Sequence, residues 1–592
     1  LSLICGALGL SLIDHPFRAV GAPFLYGTDF ATVQHFLESG RMFWESSGRL
    51  VGYHPWFAAG YPYADYTSGV GWKLMGVIFW SLNTGTIATI FLVGPLMLFP
   101  LAGYVVLKLP GRSSAEALTG SFLAACLVLF GPPLYVAWMG LGEFAAAVAL
   151  VMAASGCMIR WNRHGGGFNW VALLATLILA FMAHKTALPT LFIVGVAVVL
   201  FGRFGVYRIA MSALAGLVAF IANLFWILPL WRMRQYLDFV PHYHWGEKEA
   251  TFFGDFFRLW GPLGSLPLAW ALLIGSVIGW RILRRRERPT ANTWFGAQVL
   301  LAVFAYIGPH IDFLAPMQPR RFVSYFFALS IFPTSVACYG ALRSLGTRAG
   351  AAAVIISIAL LSLLPNAYRR VAPHKVMTSL PERAQAVTDW ISKNTTRDAR
   401  VLVEEISDAG RPDNPYQGGY LNALLPTITG REIIGGPYPG VDILHHRVTL
   451  LEGILLGRPV AGLSDAELAR LFDLYNIGWV VCFSDGAKSR FLKTDDILEK
   501  TAEFGPVYCF NVKGEKSFIS GGKGEVHARA NAIEVKITRI EGKSVVIKYH
   551  WTPDLEATGG VRIERFDIDE DPVGLIRAFI EAPTEFAIVN KY

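Results

Sequence analysis

Five groups of polar residues stand out from a chain that is otherwise mostly apolar. The first lies in Tyr26–Tyr66, YGTDFATVQHFLESGRMFWESSGRLVGYHPWFAAGYPYADY, which carries Asp29, His35, Glu38, Glu45, His54 and Asp65. The others are Glu143 in MGLGEF, His184 and Lys185 in MAHKTALP, His242, His244, Glu247 and Glu249 in PHYHWGEKE, and His310, Asp312, Gln318, Arg320 and Arg321 in PHIDFLAPMQPRRF. A carboxylate such as Asp29 or Glu143 can serve as a general base, or it can balance the positive end of a helix. The guanidiniums of Arg320 and Arg321 suit bidentate phosphate binding, and equally a grip on lipid headgroups. His184 and Lys185 form a charged pair between two apolar segments with almost no loop between them. A cation there must snorkel to water or meet an anion such as phosphate. The HxHxxE spacing of His242, His244 and Glu247 could ligate a divalent metal, the one cofactor the sequence suggests. Its flanking aromatics also suit a loop resting on headgroups.

These residues need a membrane to position them. Of 592 residues, 53% are hydrophobic and 16% charged, with a mean hydropathy of +0.43, which marks a polytopic α-helical membrane protein with a soluble appendage. The net charge of +8 does not point to nucleic acid, because the basic residues cluster at the ends of apolar segments. The Tyr26–Tyr66 stretch is too polar to cross a bilayer and too aromatic to float free, so it reads as a structured loop on the membrane surface. Thr28 as cap, then Asp29, Phe30, Val33, Phe36 and Leu37, closed at Gly40, predicts a short amphipathic helix with Asp29 in its first turn.

Leu1–Ile13 reads as the end of a first span, covering about 20 Å of a roughly 30 Å hydrocarbon core, and not as a cleavable signal peptide. After the first external loop (14–86), with Gly71–Leu82 in the interface, spans are expected near Ile87–Leu107, Ala117–Trp138, Phe144–Met158, Trp170–Ala183, Leu188–Phe201 and Ile209–Trp231. Leu266–Ile282, Trp294–Ile307, Phe322–Leu342 and Ala351–Leu364 complete a count of about eleven transmembrane helices. One set of alternate loops holds Lys108 and Arg112; Arg160 and Arg163; Arg203 and Arg208; Arg281, Arg284, Arg285, Arg286 and Arg288; and Arg343 and Arg348. That set is cytoplasmic by the positive-inside rule. The loops at Tyr26–Tyr66, Met233–Gly261 and His310–Arg321 then share the outer side with the C-terminal region.

From about Tyr368 the composition becomes mixed. LPERAQAVTDWISKN and DAELARLFDLYN read as helices, RVLVEE and IGWVVCFS as strands, which predicts an extracytoplasmic α/β domain over 368–512. Alternating short strands with a turn at Glu541–Gly542 predict a β-sandwich-like domain over 513–592. GREIIGGPYPG lacks the spacing of a nucleotide loop. The six cysteines show no CxxC or Cys/His zinc spacing, and Cys482 and Cys509 read as buried free thiols.

A first span, then a large outer loop with an early Asp and a later HPWFAAGYP patch, resembles the GT-C class of membrane glycosyltransferases. That class includes oligosaccharyltransferases, protein O-mannosyltransferases and lipid A aminoarabinose transferases. The resemblance covers the topology of residues 1–367 as a GT-C-like domain, and at residue level this loop and scattered positions such as QPRRF at 318–322. It implies an inverting transfer of sugar from a polyprenyl-phosphate carrier to an extracytoplasmic glycan, lipid or protein acceptor at the cytoplasmic (inner) membrane of the cell envelope. It further implies Asp29 with Glu143 at the catalytic centre, and His184, Lys185, Arg320 and Arg321 on the carrier phosphate. His54, His242 and His244 are candidates on the acceptor side. Two other classes compete. A non-catalytic scaffold or complex subunit would keep the fold and tolerate Asn at position 29. A transporter or flippase is disfavoured by the scarcity of ionisable residues in mid-span.

Overall fold

The computed structural model describes residues 1–64, 70–237, 266–311, 314, 318–346, 375–437 and 443–591. His242, His244 and Glu247, Asp65 and Asp312, and the expected span Ala351–Leu364, lie outside the described residues.

The first half is a helical bundle. Among the described residues four helices are long and apolar enough to cross a membrane: Thr84–Lys108, Gly142–His164, Arg288–His310 and Phe322–Ser344. A fifth span arises if Val206–Ala222 and Leu224–Tyr236, bent by 65°, count as one. The expected count of about eleven is therefore not reached by this measure, for physical reasons. The expected Ala117–Trp138 span breaks at Gly131 into Ser114–Phe130 and Pro132–Trp138. Gly167–Ala183 and Ala187–Phe201 have 17 and 15 residues, or about 26 and 22 Å, short of a bilayer core. The Leu266–Arg286 helix ends in three arginines.

The alternating basic loops do gather at one end of this bundle. Glu287 forms an ion pair with Arg112 at 3.0 Å and accepts from Arg163 at 2.6 Å, while Arg208 donates to the backbone of Asn162 at 2.8 Å. Four loops are tied together there, leaving the opposite end for the first loop and the C-terminal half.

The first loop departs from expectation. Its helix runs from Phe30 to Ser47, through Gly40, and ends at Gly48, whose φ of 67° supplies the left-handed cap. Gly40 is a place of close approach: a Cβ there would lie 2.5 Å from the carbonyl oxygen of Lys73 on the neighbouring Gly71–Ile78 helix. A two-stranded hairpin, Gly52–His54 with Tyr61–Tyr63, follows.

The C-terminal half holds a five-stranded sheet ordered 433–434, 400–403, 477–482, 507–512, 498–504, with the first three strands parallel and the last two antiparallel. Beyond it, two four-stranded antiparallel sheets face each other across a core that includes Ile533, Ile547, Ile576 and Ile588. All six cysteines are free thiols. The halves interlock: Met377 exchanges backbone hydrogen bonds with Tyr26, while Asn531 donates its backbone N–H to Tyr53 O and accepts the Tyr53 N–H on its side-chain Oδ1.

Candidate functional site

Asp29 sits at the bundle end opposite the basic loops, as the N-cap residue of the Phe30–Ser47 helix. Its side chain caps no N–H of that helix. The approach to it is strained, since Thr28 has φ 42°, a region that side chains avoid unless surroundings enforce it. Here they do: Thr28 Oγ1 donates to Trp138 O at 3.1 Å, Asp29 N–H to Met139 O at 3.2 Å, and Thr28 N–H to Gly418 O. Gly140, with φ 89°, passes so close that a Cβ there would lie 3.1 Å from that of Asp29. The Asp29 carboxyl is 7% exposed and accepts no hydrogen bond among the described residues. Burial pushes its pKa up to about 7; Arg321 pulls it down and Asp408, a like charge, adds to the rise.

Three residues beyond Gly140, Glu143 and Phe144 open the Gly142–His164 helix. Phe144 is a hub. The Arg321 guanidinium lies over its ring, 5.9 Å from the centroid, while the rings of His184 and Tyr325 meet it edge-on at 5.1 and 5.6 Å. Arg321 closes the short turn Pro319–Arg321, which Arg320 shares, just before the Phe322–Ser344 helix. Gln318, with φ 51°, sets the direction of that turn.

His184 joins the Gly167–Ala183 and Ala187–Phe201 helices and is fully buried. Its Nδ1 accepts the Thr186 N–H at 3.2 Å, so the ring is neutral and its proton rests on Nε2. That corrects the expectation of a charged pair with Lys185. Nε2–H has no hydrogen-bond partner among the described residues, an orphan donor beside the Arg321 cation. Thr186 Oγ1 links His184 Nδ1 and Tyr325 Oη, each at 2.7 Å, fixing the ring. Lys185 is next in the chain, half-buried.

Asp29, Phe144, His184 and Arg321, with Lys185 adjoining, therefore occupy one neighbourhood. Glu143 is at the same bundle end, and its Oε2 would lie 3.5 Å from a Cβ on Gly71, beside the start of the Gly71–Ile78 helix. His54 lies deeper, 2% exposed, stacked on Tyr61 and near His35. Burial and the Lys73 ammonium push its pKa down to about 3, so it is a neutral ring in an aromatic core. Sequence reasoning missed Asp408. It is far along the chain in an unremarkable ISDAG turn, and only the fold brings it to Asp29.

No protein-family model and no curated protein sequence matches this chain. Solved structures do. A crystal structure of the Archaeoglobus fulgidus oligosaccharyltransferase, in complex with zinc and sulfate, superposes with a TM-score of 0.53 at 14% identity, over 81% of this chain and 67% of that one. The cryo-EM structure of the mycobacterial arabinofuranosyltransferase AftD gives 0.54 at 14% identity over 89% of this chain, which spans only 40% of that protein's length. The chain has the GT-C fold of membrane glycosyltransferases.

Proposed function

We propose that this protein transfers a sugar from a polyprenyl-phosphate carrier to an acceptor on the extracytoplasmic side of the inner membrane. The observation that carries this reading is the Asp29 carboxyl, buried, without a hydrogen bond among the described residues and poised near neutrality, in electrostatic contact with the Arg321 guanidinium. Asp29 takes the proton of the acceptor hydroxyl as its oxygen bonds to the anomeric carbon. The bond from that carbon to the phosphate oxygen breaks, and its electron pair leaves with the phosphate. Arg321, Lys185, the His184 Nε2–H and Arg320 are the groups assigned to the growing negative charge. Attack opposite the leaving phosphate inverts the anomeric centre. Glu143 steadies two helix starts and so positions the site.

The basic end of the bundle is cytoplasmic in this reading, which puts Asp29 and the C-terminal half outside. A scaffold without catalysis gives no account of a carboxyl kept buried at a cost to stability. The test is binding of undecaprenyl phosphate to the purified protein, followed by native mass spectrometry. Wild type and Asp29→Asn should retain the lipid, and Arg321→Ala should bind at least about tenfold more weakly. Transfer from the sugar-loaded carrier should be lost in Asp29→Asn. A wild type that binds no polyprenyl phosphate would move the scaffold reading ahead.

A further inference from the structure

The soluble half carries a cavity of its own, and the order of the strands explains where it lies. From Arg400–Val403 the chain passes to a parallel neighbour on one side, Ile433–Ile434, then crosses to the other side at Ile477–Cys482. That reversal opens a crevice beyond the carboxyl ends of the strands, where open α/β sheets place ligand sites. Glu405 comes two residues after Val403, and Gly436 two after Ile434. Both line a small cavity together with Ile406, Tyr416, Tyr420 and Asn422. One wall belongs to the loop 404–419, which also holds the Asp29 segment: Tyr26 Oη donates to Tyr416 O at 2.8 Å, and Thr28 N–H to Gly418 O.

The polar groups of this cavity are acceptors. Glu405 is fixed by its backbone, which donates to Leu450 O at 2.7 Å, and its Oε1 accepts the Gly436 N–H. The residue is 4% exposed and forms no ion pair among the described residues. Burial pushes its pKa up to about 8 against the pull of Gly436 and Asn422, as expected of a carboxyl that lacks a cation. Asn422 is equally buried. Its Nδ2 donates to Val403 O at 3.1 Å, which orients the amide and leaves Oδ1 with no hydrogen-bond partner among the described residues. A buried acceptor left dry is costly unless something else in the cavity serves it. The tyrosine O–H groups are spent elsewhere, Tyr416 Oη on Glu404 O at 2.6 Å and Tyr420 Oη on Ser407 O at 3.2 Å. Gly436 adds no side chain to fill the space: a Cβ there would lie 3.3 Å from Glu405 Oε1 and 2.8 Å from His446 Cε1.

We propose that this cavity binds the primary ammonium group of a small ligand, with Glu405 and Asn422 Oδ1 accepting its N–H bonds. A primary ammonium brings the positive charge that a buried carboxylate needs and three donors for the acceptors around it. A hydroxyl supplies one donor and no charge. A quaternary ammonium supplies the charge but no donor, and more bulk than the cavity admits. The site goes beyond the glycosyl-transfer reading and does not depend on it, since neither Glu405 nor Asn422 is assigned to the reaction.

The experiment uses the full chain in nanodiscs of phosphatidylglycerol, whose headgroup carries no amine. Methylammonium, methanol and tetramethylammonium are the probes, followed by saturation-transfer NMR. Wild type should bind methylammonium at least about tenfold more tightly than either of the others. Glu405→Gln keeps an acceptor for the Gly436 N–H but not the charge, so that preference should fall below about threefold. The variant should melt no lower than wild type, because it sheds a buried charge; should it not fold, the wild-type ranking decides alone. Phosphatidylethanolamine added to the nanodiscs separates two sources of the amine: competition assigns a lipid headgroup, and its absence a soluble amine. No saturable methylammonium binding by wild type would mean that water alone fills the cavity. An unchanged preference in folded Glu405→Gln would place the amine elsewhere. Either result overturns the proposal. Undecaprenyl phosphate binding, read on the same samples, should be equal in wild type and Glu405→Gln, so the two readings stand or fall separately.

Discussion

The Arg321 guanidinium lies within electrostatic reach of the Asp29 carboxyl and, among the described residues, is the group that draws its pKa down against burial. The two come from opposite ends of the bundle half of the chain, each placed by a strained residue just before it, Thr28 and Gln318. In the proposed reaction that pairing sets both the protonation state of the base and the place of the leaving phosphate.

The rate of sugar transfer should rise with pH through about 7 and level off above it, because the base acts only when ionised. Removing the guanidinium in Arg321→Ala removes the lowering influence, so the midpoint should move to higher pH as well as the maximum falling. A flat profile between about pH 5.5 and 8.5 would remove Asp29 from the base role, given a titration centred near 7.

Stability carries the same signature with the opposite sense. The folded-state pKa of Asp29 is raised, from 3.8 to about 7. Its contribution is therefore fully present below the unfolded value and lost as pH rises through about 7. Asp29→Asn should melt with wild type near pH 4 and above it near pH 8.5, by up to about 4 kcal/mol. Thermal melts at the two pH values check this; a variant less stable than wild type at pH 8.5 would contradict it.

Gly40→Ala tests the contact that fixes the first loop. The added methyl would lie 2.5 Å from the Lys73 carbonyl oxygen and 2.7 Å from its Cα, both backbone atoms that cannot swing aside. We expect a loss of about 1–3 kcal/mol, despite the higher helix propensity of alanine. Gly48→Ala, with open space around it but φ 67°, should cost less, about 1 kcal/mol.

The membrane half was legible because hydrophobic length and basic ends act locally, so the end of the bundle that carries Asp29 followed from arginine positions alone. Helix breaks at Gly131 and Asn223 were not, because apolar runs continue through both. Gly40 looked like a helix stop since its reason lies across space, on Lys73. His184 looked charged because its neutralising partner, the Thr186 N–H, is visible only once the turn is folded. Asp408 left no local trace, as its meaning depends wholly on where the 404–419 loop lands.

Arg400 tests how the soluble half is held together. It is fully buried, donating to Glu432 at 2.8 Å, Tyr475 O at 2.9 Å and Lys548 O at 2.7 Å. The rings of Phe518 and Tyr549 lie 4.7 and 4.3 Å from its guanidinium carbon, so it joins the five-stranded sheet to the sandwich. Arg400→Met keeps much of the volume but leaves the Glu432 carboxylate uncompensated, which should cost about 3–5 kcal/mol. The loss should shrink as pH falls, because a protonated Glu432 no longer needs the cation; burial already raises its pKa. Arg400→Met with Glu432→Gln should recover part of the loss, since the two residues interact directly and their effects cannot add. Melting of the full-length protein across pH reads all three outcomes. Additive losses, or a single variant as stable as wild type at neutral pH, would show that the guanidinium is held there by packing rather than by its charge.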